Sequence, residues 1–146
     1  MTDHPAPRPS FGQALGQTSR QIGKLFHRVL ADFDMEFPTF MLFTLLKEKG
    51  VPLPVEEVVR DLSLRMDLAE PDTIGVLERA AAAGHITYEP DATAELTEAG
   101  AALFASLYPQ ARGATDAAIE GIDPAMLDTA LTVLLSVEQR ATALLG

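Results

Sequence analysis

The chain has no cysteine in its 146 residues, which excludes a disulfide framework, a thiolate zinc site, a thiol sensor and a cysteine nucleophile. Basic residues are scarce: 11 Lys and Arg stand against 21 Asp and Glu, for a net charge of -10. That balance disfavours generic nucleic-acid binding and docking on anionic lipid. No apolar run approaches the ~18 residues that a membrane span needs. The opening residues 1–9 lack the apolar stretch of a signal peptide, so a cytoplasmic location is expected, with no membrane partner. There is no Gly-rich phosphate loop, no His-Glu-x-x-His and no nucleophile elbow. Glu56 and Glu57 are adjacent, so on a helix they point about 100° apart and form no working carboxylate pair. Histidines occur only at His4, His27 and His85, too scattered for a transition-metal site. No catalytic residue, metal or cofactor is therefore expected, and the chain does not read as an enzyme.

What is present is globular in composition, 47% apolar and 22% charged. The length suits one domain, or one domain with a dimerisation arm. Residues 1–9, with Pro5, Pro7 and Pro9, read as a short flexible tail. Ser10 followed by Gln13 is a capping box, opening a helix over residues 10–34. Its apolar seam (Phe11, Leu15, Thr18, Ile22, Leu25, Val29) is flanked by Phe26, Leu30 and Phe33, wide enough to suggest a partner chain as well as a core. A second helix begins at Pro38 and stops at Lys47-Glu48-Lys49-Gly50, where the lysines suit the helix dipole. Residues 51–54 read as a stiff connector, and Pro54 opens a third helix with Glu56 and Glu57 in its first turn. A fourth helix runs from Pro71 to Ala83 and is closed by Gly84.

The period then changes. Residues 85–89 and 93–97 alternate like two short strands around Pro90-Asp91-Ala92, a hairpin. Thr97 caps a fifth helix, which Pro109 and Gly113 are expected to kink or interrupt. Asp123-Pro124 starts a last helix whose apolar residues cover two faces, one more than a monomer's core requires.

The order helix, helix–helix–helix–hairpin, two long helices resembles the multiple-antibiotic-resistance regulator (MarR) family. Residues 62–86 look like that family's third helix, turn and recognition helix without a gap. Glu95-Leu96-Thr97-Glu98-Ala99-Gly100 is similar to its "LTxxG" step from wing to fifth helix. The implied fold is mainly α: a winged helix-turn-helix over residues 38–99 with a small two-stranded hairpin, flanked by dimerisation helices at 10–34 and 98–146.

The resemblance implies that the fourth helix enters the major groove of double-stranded DNA. The positions it would aim there are Glu70, Pro71, Asp72, Gly75 and Arg79, unusually acidic for the family. The hairpin from His85 to Thr97 holds no Lys or Arg, whereas the family's wing carries an arginine for the minor groove. Residues 38–99 contain only five cations (Lys47, Lys49, Arg60, Arg65, Arg79) against twelve carboxylates. Each neutralised phosphate contributes roughly 0.9 to the salt dependence of log K, so few cations imply weaker than usual DNA affinity. The run Ala80–Ala83 favours a helix but supplies no donors.

The candidate DNA contacts are Arg60, Arg65, Asp72, Thr73 and Arg79. A competing reading pairs Arg60 with Glu56 and Arg65 with Asp61, each four residues apart on one helix. Family effectors bind in a cleft between dimerisation and DNA-binding parts. Phe26, His27, Phe40, Met41, Phe43 and Tyr108 are the candidate lining of such a cleft, against the reading that they are ordinary core and surface. The expected function is a homodimeric DNA-binding transcription regulator, controlled by a small-molecule effector. The alternative is a winged-helix dimer that has lost DNA binding and takes a ligand or a basic protein partner.

Overall fold

A computed structural model describes residues 6–146, so the expected tail's His4 and Pro5 lie outside the described residues. Residues 6–9 are exposed and carry no regular structure. The chain forms two compact units, one reaching Thr115 and the other spanning residues 116–146.

In the first unit, α1 (Phe11–Asp32) starts at the capping box the sequence indicates. The Ser10 hydroxyl accepts from the Gln13 N–H at 3.2 Å, and the Gln13 side chain accepts from the Ser10 N–H at 3.0 Å. Phe11 and Leu15 near its start are exposed, whereas Leu30 near its end is buried, with Phe26, Val29 and Phe33 packed beside it. Helix α2 (Phe37–Lys49) begins one residue before Pro38 and is apolar on every side. A helix of that kind belongs in the middle of a core, and Phe40, Leu42, Phe43, Leu45 and Leu46 are all buried. Full burial of one such side chain is worth about 1.5–3 kcal/mol. Gly50 ends the helix in the left-handed region, at φ 66°.

The stretch after Gly50 is more than a connector. Leu53–Pro54 form a short strand, β1, antiparallel to β3 (Thr93–Leu96), which also pairs with β2 (Ile86–Tyr88). The expected two-stranded hairpin is therefore a three-stranded sheet, ordered β1-β3-β2. Leu53 is buried and the Val55 N–H donates to the Ala92 carbonyl at 3.0 Å, which anchors the extra strand. Pro54 is tolerated because an edge strand needs no second donor.

Helix α3 (Val55–Met66) carries Glu56 and Glu57 in its first turn and buries Val55, Val58, Val59 and Leu62. Helix α4 (Glu70–Ala82) follows, and Gly84, at φ 79°, turns the chain into β2. Helix α5 (Glu98–Ile119) starts where expected. The Thr97 hydroxyl donates to the Gly84 carbonyl at 2.7 Å and accepts from the Gly100 N–H at 3.0 Å. A Cβ on Gly100 would collide with the His85 carbonyl, so the glycine lets α5 approach the start of the wing. The interruption expected at Pro109 and Gly113 does not occur; α5 runs through both. Both residues are exposed, so the carbonyl that Pro109 leaves without a donor can be hydrated.

In the second unit, the chain turns at Gly121 (φ 83°) and Asp123 caps α6 (Pro124–Leu145), its carboxylate accepting from the Ala125 N–H at 3.0 Å. Helix α6 buries no residue, and Met126, Leu131, Leu134, Leu135 and Leu144 are exposed. The hydroxyls of Thr129, Thr132, Ser136 and Thr142 each donate to the carbonyl four residues earlier, at 2.9–3.1 Å. Those polar groups are thus satisfied within the helix.

Candidate nucleic-acid interface and ligand cleft

The angle between α3 and α4 is held by a small polar lock. Asp67 adopts the left-handed region, at φ 51°, and the Leu68 N–H returns to the Ser63 carbonyl at 3.1 Å. The Ser63 and Thr73 hydroxyls then meet at 2.8 Å, with Thr73 also donating to the Ala69 carbonyl at 3.3 Å. Thr73 is 0% exposed. Its expected role as a DNA contact is therefore corrected: the hydroxyl holds the turn to the helix and reaches no groove.

With Thr73, Val76, Leu77 and Ala80 facing the core, α4 leaves Glu70, Pro71, Asp72, Glu78 and Arg79 exposed. Asp72 is on the outside, as a contact residue must be. The three candidate arginines are exposed too, but neither Arg60 nor Arg65 has the partner expected from helix spacing. Arg60 pairs with its neighbour Asp61 at 3.9 Å, Arg65 with Glu48 of α2 at 3.5 Å, and Arg79 with Glu36 ahead of α2 at 3.6 Å. Packing brought Glu48 and Glu36 closer than any carboxylate a turn away. Such exposed pairs contribute only about 0–1 kcal/mol and exchange readily for other anions.

Between α4, the first turn of α3 and the wing lies an open groove of about 700 Å³. Glu56, Glu70, Glu78 and Asp91 surround Val59, Ile74 and Tyr88 there, and no Lys or Arg lines it. The hairpin tip, Glu89-Pro90-Asp91, is exposed. Four of the twelve carboxylates counted over residues 38–99 thus line one groove.

The ligand candidates divide. The Phe26 ring lies tilted 5.9 Å from Phe40, Phe40 stacks 6.1 Å from Phe104, and Phe104 lies tilted 5.2 Å from Tyr108. His27 joins this chain of rings through Phe37, at 6.0 Å. Phe26, His27, Phe40 and Tyr108 are therefore one cluster, with Phe37 and Phe104 as the members that sequence reading missed. Phe43 is not part of it. Fully buried, it meets the edge of the half-buried His85 at 5.8 Å. Met41 is half-buried against the core.

A cleft of about 330 Å³ opens elsewhere, among Phe33, Met35, Glu36, Thr39, Arg79, His85 and Leu103. It brings together the α1–α2 turn, the end of α4 and the start of the wing. None of the ligand candidates lines it. The sequence offers for it only Asp34-Met35-Glu36 between two helices; the structure puts Asp34 in the left-handed region, at φ 51°.

Among known proteins, no family model and no curated sequence matches the chain. Solved structures do. The chain superposes on ligand-free NadR with a TM-score of 0.77 at 20% identity, covering 94% of this chain and 100% of that one. BpsR of Bordetella bronchiseptica, whose DNA binding is regulated by 6-hydroxynicotinic acid, gives 0.72 at 19% identity, with 91% and 99% covered. A MarR family protein from Bacillus stearothermophilus gives 0.72 at 19% identity, with 90% and 92% covered. Identity at this level speaks for architecture, and the architecture is unambiguous across nearly the whole chain: this protein has the winged-helix fold of the MarR-family transcriptional regulators.

Proposed function

We propose that the protein is a homodimeric, non-enzymatic transcription regulator that binds double-stranded DNA through α4 and responds to a small-molecule effector in the cytoplasm. The observation that carries this reading is the exposed face of α4, fixed by the Ser63–Thr73 lock beside a three-stranded wing. Arg79 and Asp72 on α4, with Arg60 and Arg65 on α3, are the contacts this reading assigns. Two copies are required because one recognition helix covers only a half-site. The apolar surface of α6, and separately the exposed Phe11 and Leu15 of α1, supply material for self-association. An effector would occupy the aromatic cluster or the cleft at His85. BpsR, which responds to an aromatic acid, supports that class of ligand. With so few cations, affinity should be modest and its salt dependence shallow, since each neutralised phosphate adds only roughly 0.9 to the slope.

Fluorescence anisotropy tests the reading, using labelled DNA from upstream of the protein's own gene against random DNA at two salt concentrations. The expected result is saturable binding at least tenfold tighter to the upstream fragment, weakened by salt. A second reading has its own support in the carboxylate-lined groove between α4 and the wing. Under it the dimer has lost DNA reading and engages a basic protein surface. No DNA binding at micromolar protein and low salt, by a dimer intact in light scattering, would favour this second reading. So would an Arg79→Ala variant that keeps full biological function.

A further inference from the structure

Arg79 is the only basic residue of α4, and its guanidinium is drawn to one side of the helix. It folds back one turn along the helix. Nη1 lies only 3.2 Å from the point a Cβ on Gly75 would occupy, and Nη2 lies 3.6 Å from Glu36 Oε2. Gly75 thus provides the hollow in which the guanidinium rests, and Glu36 provides the charge that keeps it there.

Glu36 is placed for that task by the α1–α2 turn. Asp34 takes the left-handed conformation at φ 51°, which Asp and Asn tolerate better than other side chains. The Asp34 N–H returns to the Ala31 carbonyl at 3.1 Å and the Met35 N–H to the Leu30 carbonyl at 3.0 Å. Glu36 follows in extended backbone as the N-cap of α2, yet its side chain makes no capping bond. Its carboxylate faces Arg79 instead.

We infer that Glu36 is an internal competitor for DNA phosphate at Arg79, and that the α1–α2 turn sets DNA affinity by offering or withdrawing it. The inference rests on the DNA-binding reading given above. The Glu36 carboxylate shares the guanidinium with any phosphate that approaches it, and offsets part of the charge that would attract that phosphate. The pair is open enough to exchange, with the two side chains 61% and 68% exposed. The same two residues edge the cleft that holds Thr39 and His85. Any shift of the α1–α2 turn, including one imposed by a molecule in that cleft, therefore alters how tightly Arg79 is held.

The test is a double-mutant cycle on the full chain, read by anisotropy with the upstream fragment and with random DNA. Glu36→Gln removes the competitor. Asp34→Asn removes an equal charge two residues away while keeping a side chain suited to the left-handed turn. Glu36→Gln should tighten binding about three- to tenfold over the wild type, since a dimer holds two such pairs. Its log K should fall more steeply with log salt, by roughly two for two newly engaged phosphates. Asp34→Asn should produce less than half of the gain in log K. In an Arg79→Ala background, Glu36→Gln should do no more than Asp34→Asn. Equal gains from the two single variants, or an undiminished Glu36→Gln gain without Arg79, would reduce Glu36 to one more negative charge and overturn the inference. If the wild type and every variant fail to prefer the upstream fragment, the DNA-binding reading itself has failed and takes the inference with it. The wild-type titration tells these two failures apart.

Discussion

Helices α2 and α6 are made of similar material and are buried to opposite extents. The first hides Phe40, Leu42, Phe43, Leu45 and Leu46. The second carries Met126, Leu131, Leu134 and Leu135 on its outside and hides nothing. Composition cannot explain the difference, because both helices are mostly apolar. Neighbours can: α3, α4 and β3 all pack on α2, and only its last turn, Lys47 to Lys49, is exposed. In α6 the Thr and Ser hydroxyls bond back to their own helix, which leaves an exposed surface with few unmet hydrogen bonds. An apolar helix needs cover, and an exposed apolar patch of this kind marks an interaction surface. The comparison teaches that hydrophobicity states a demand without saying which chain meets it.

The largest effect should come from emptying the covered helix. Leu45→Ala should cost about 2–5 kcal/mol in urea unfolding, since it opens a cavity where no neighbour can collapse easily. A loss below ~1 kcal/mol would mean that α2 is not the centre of the core. Gly100→Ala comes next. A methyl group facing the His85 carbonyl must push α5 away from the wing, at a cost of about 1–3 kcal/mol. Thermal melts that leave this variant unchanged would show that the close approach is dispensable.

Smaller still is the polar lock at the turn. Thr73→Val removes one buried hydroxyl partner of Ser63 and should cost about 1 kcal/mol, whereas Thr73→Ser should recover most of it. Any weakening of DNA binding by Thr73→Val should follow that loss of stability, because the side chain is buried. The smallest effect on the fold belongs to the exposed helix. Leu131→Glu combined with Leu135→Glu should change the stability of the single chain by no more than about 0.5 kcal/mol, read at a dilution at which the wild type is monomeric as well. The same pair should halve the mass seen by sedimentation equilibrium. A wild type that is already monomeric at tens of micromolar would break the contrast between the two helices.

Much of the architecture was legible because it is written in bonds that close within three or four residues. Ser10 with Gln13, Gly50, Gly84, Thr97 with Gly100, and Asp123 ahead of Pro124 each mark a boundary where the structure has one. Gly100 was readable as part of a motif; its reason, the approach of the His85 carbonyl, was not. Pro109 does not interrupt α5, because on an exposed face the carbonyl it leaves without a donor can turn to water.

The candidate site was less legible than the fold. Arg79 and Asp72 were found on the correct outward face, and Phe26, His27, Phe40 and Tyr108 proved to be one cluster. Thr73 could not be separated from Asp72 by sequence, because adjacent residues on a helix differ by about 100° and only packing shows which of them faces inward. Phe43 looked like Phe40 because residues three apart lie near one face of a helix, and only packing shows that one meets Phe104 and the other His85.

The sequence alone therefore determined the order of the helices and the hairpin, the caps, the acidic balance and the apolar demand of α1 and α6, all of which depend on composition or on short-range bonds. Only the tertiary structure decided that Leu53 adds a third strand, that Thr73 locks a turn, that Glu48 and Glu36 hold Arg65 and Arg79, and that a cleft opens at His85. Those pairings join residues from ten to more than forty positions apart. Local propensity carries no information about such distances; they come into being when α2 is buried and the other elements close around it.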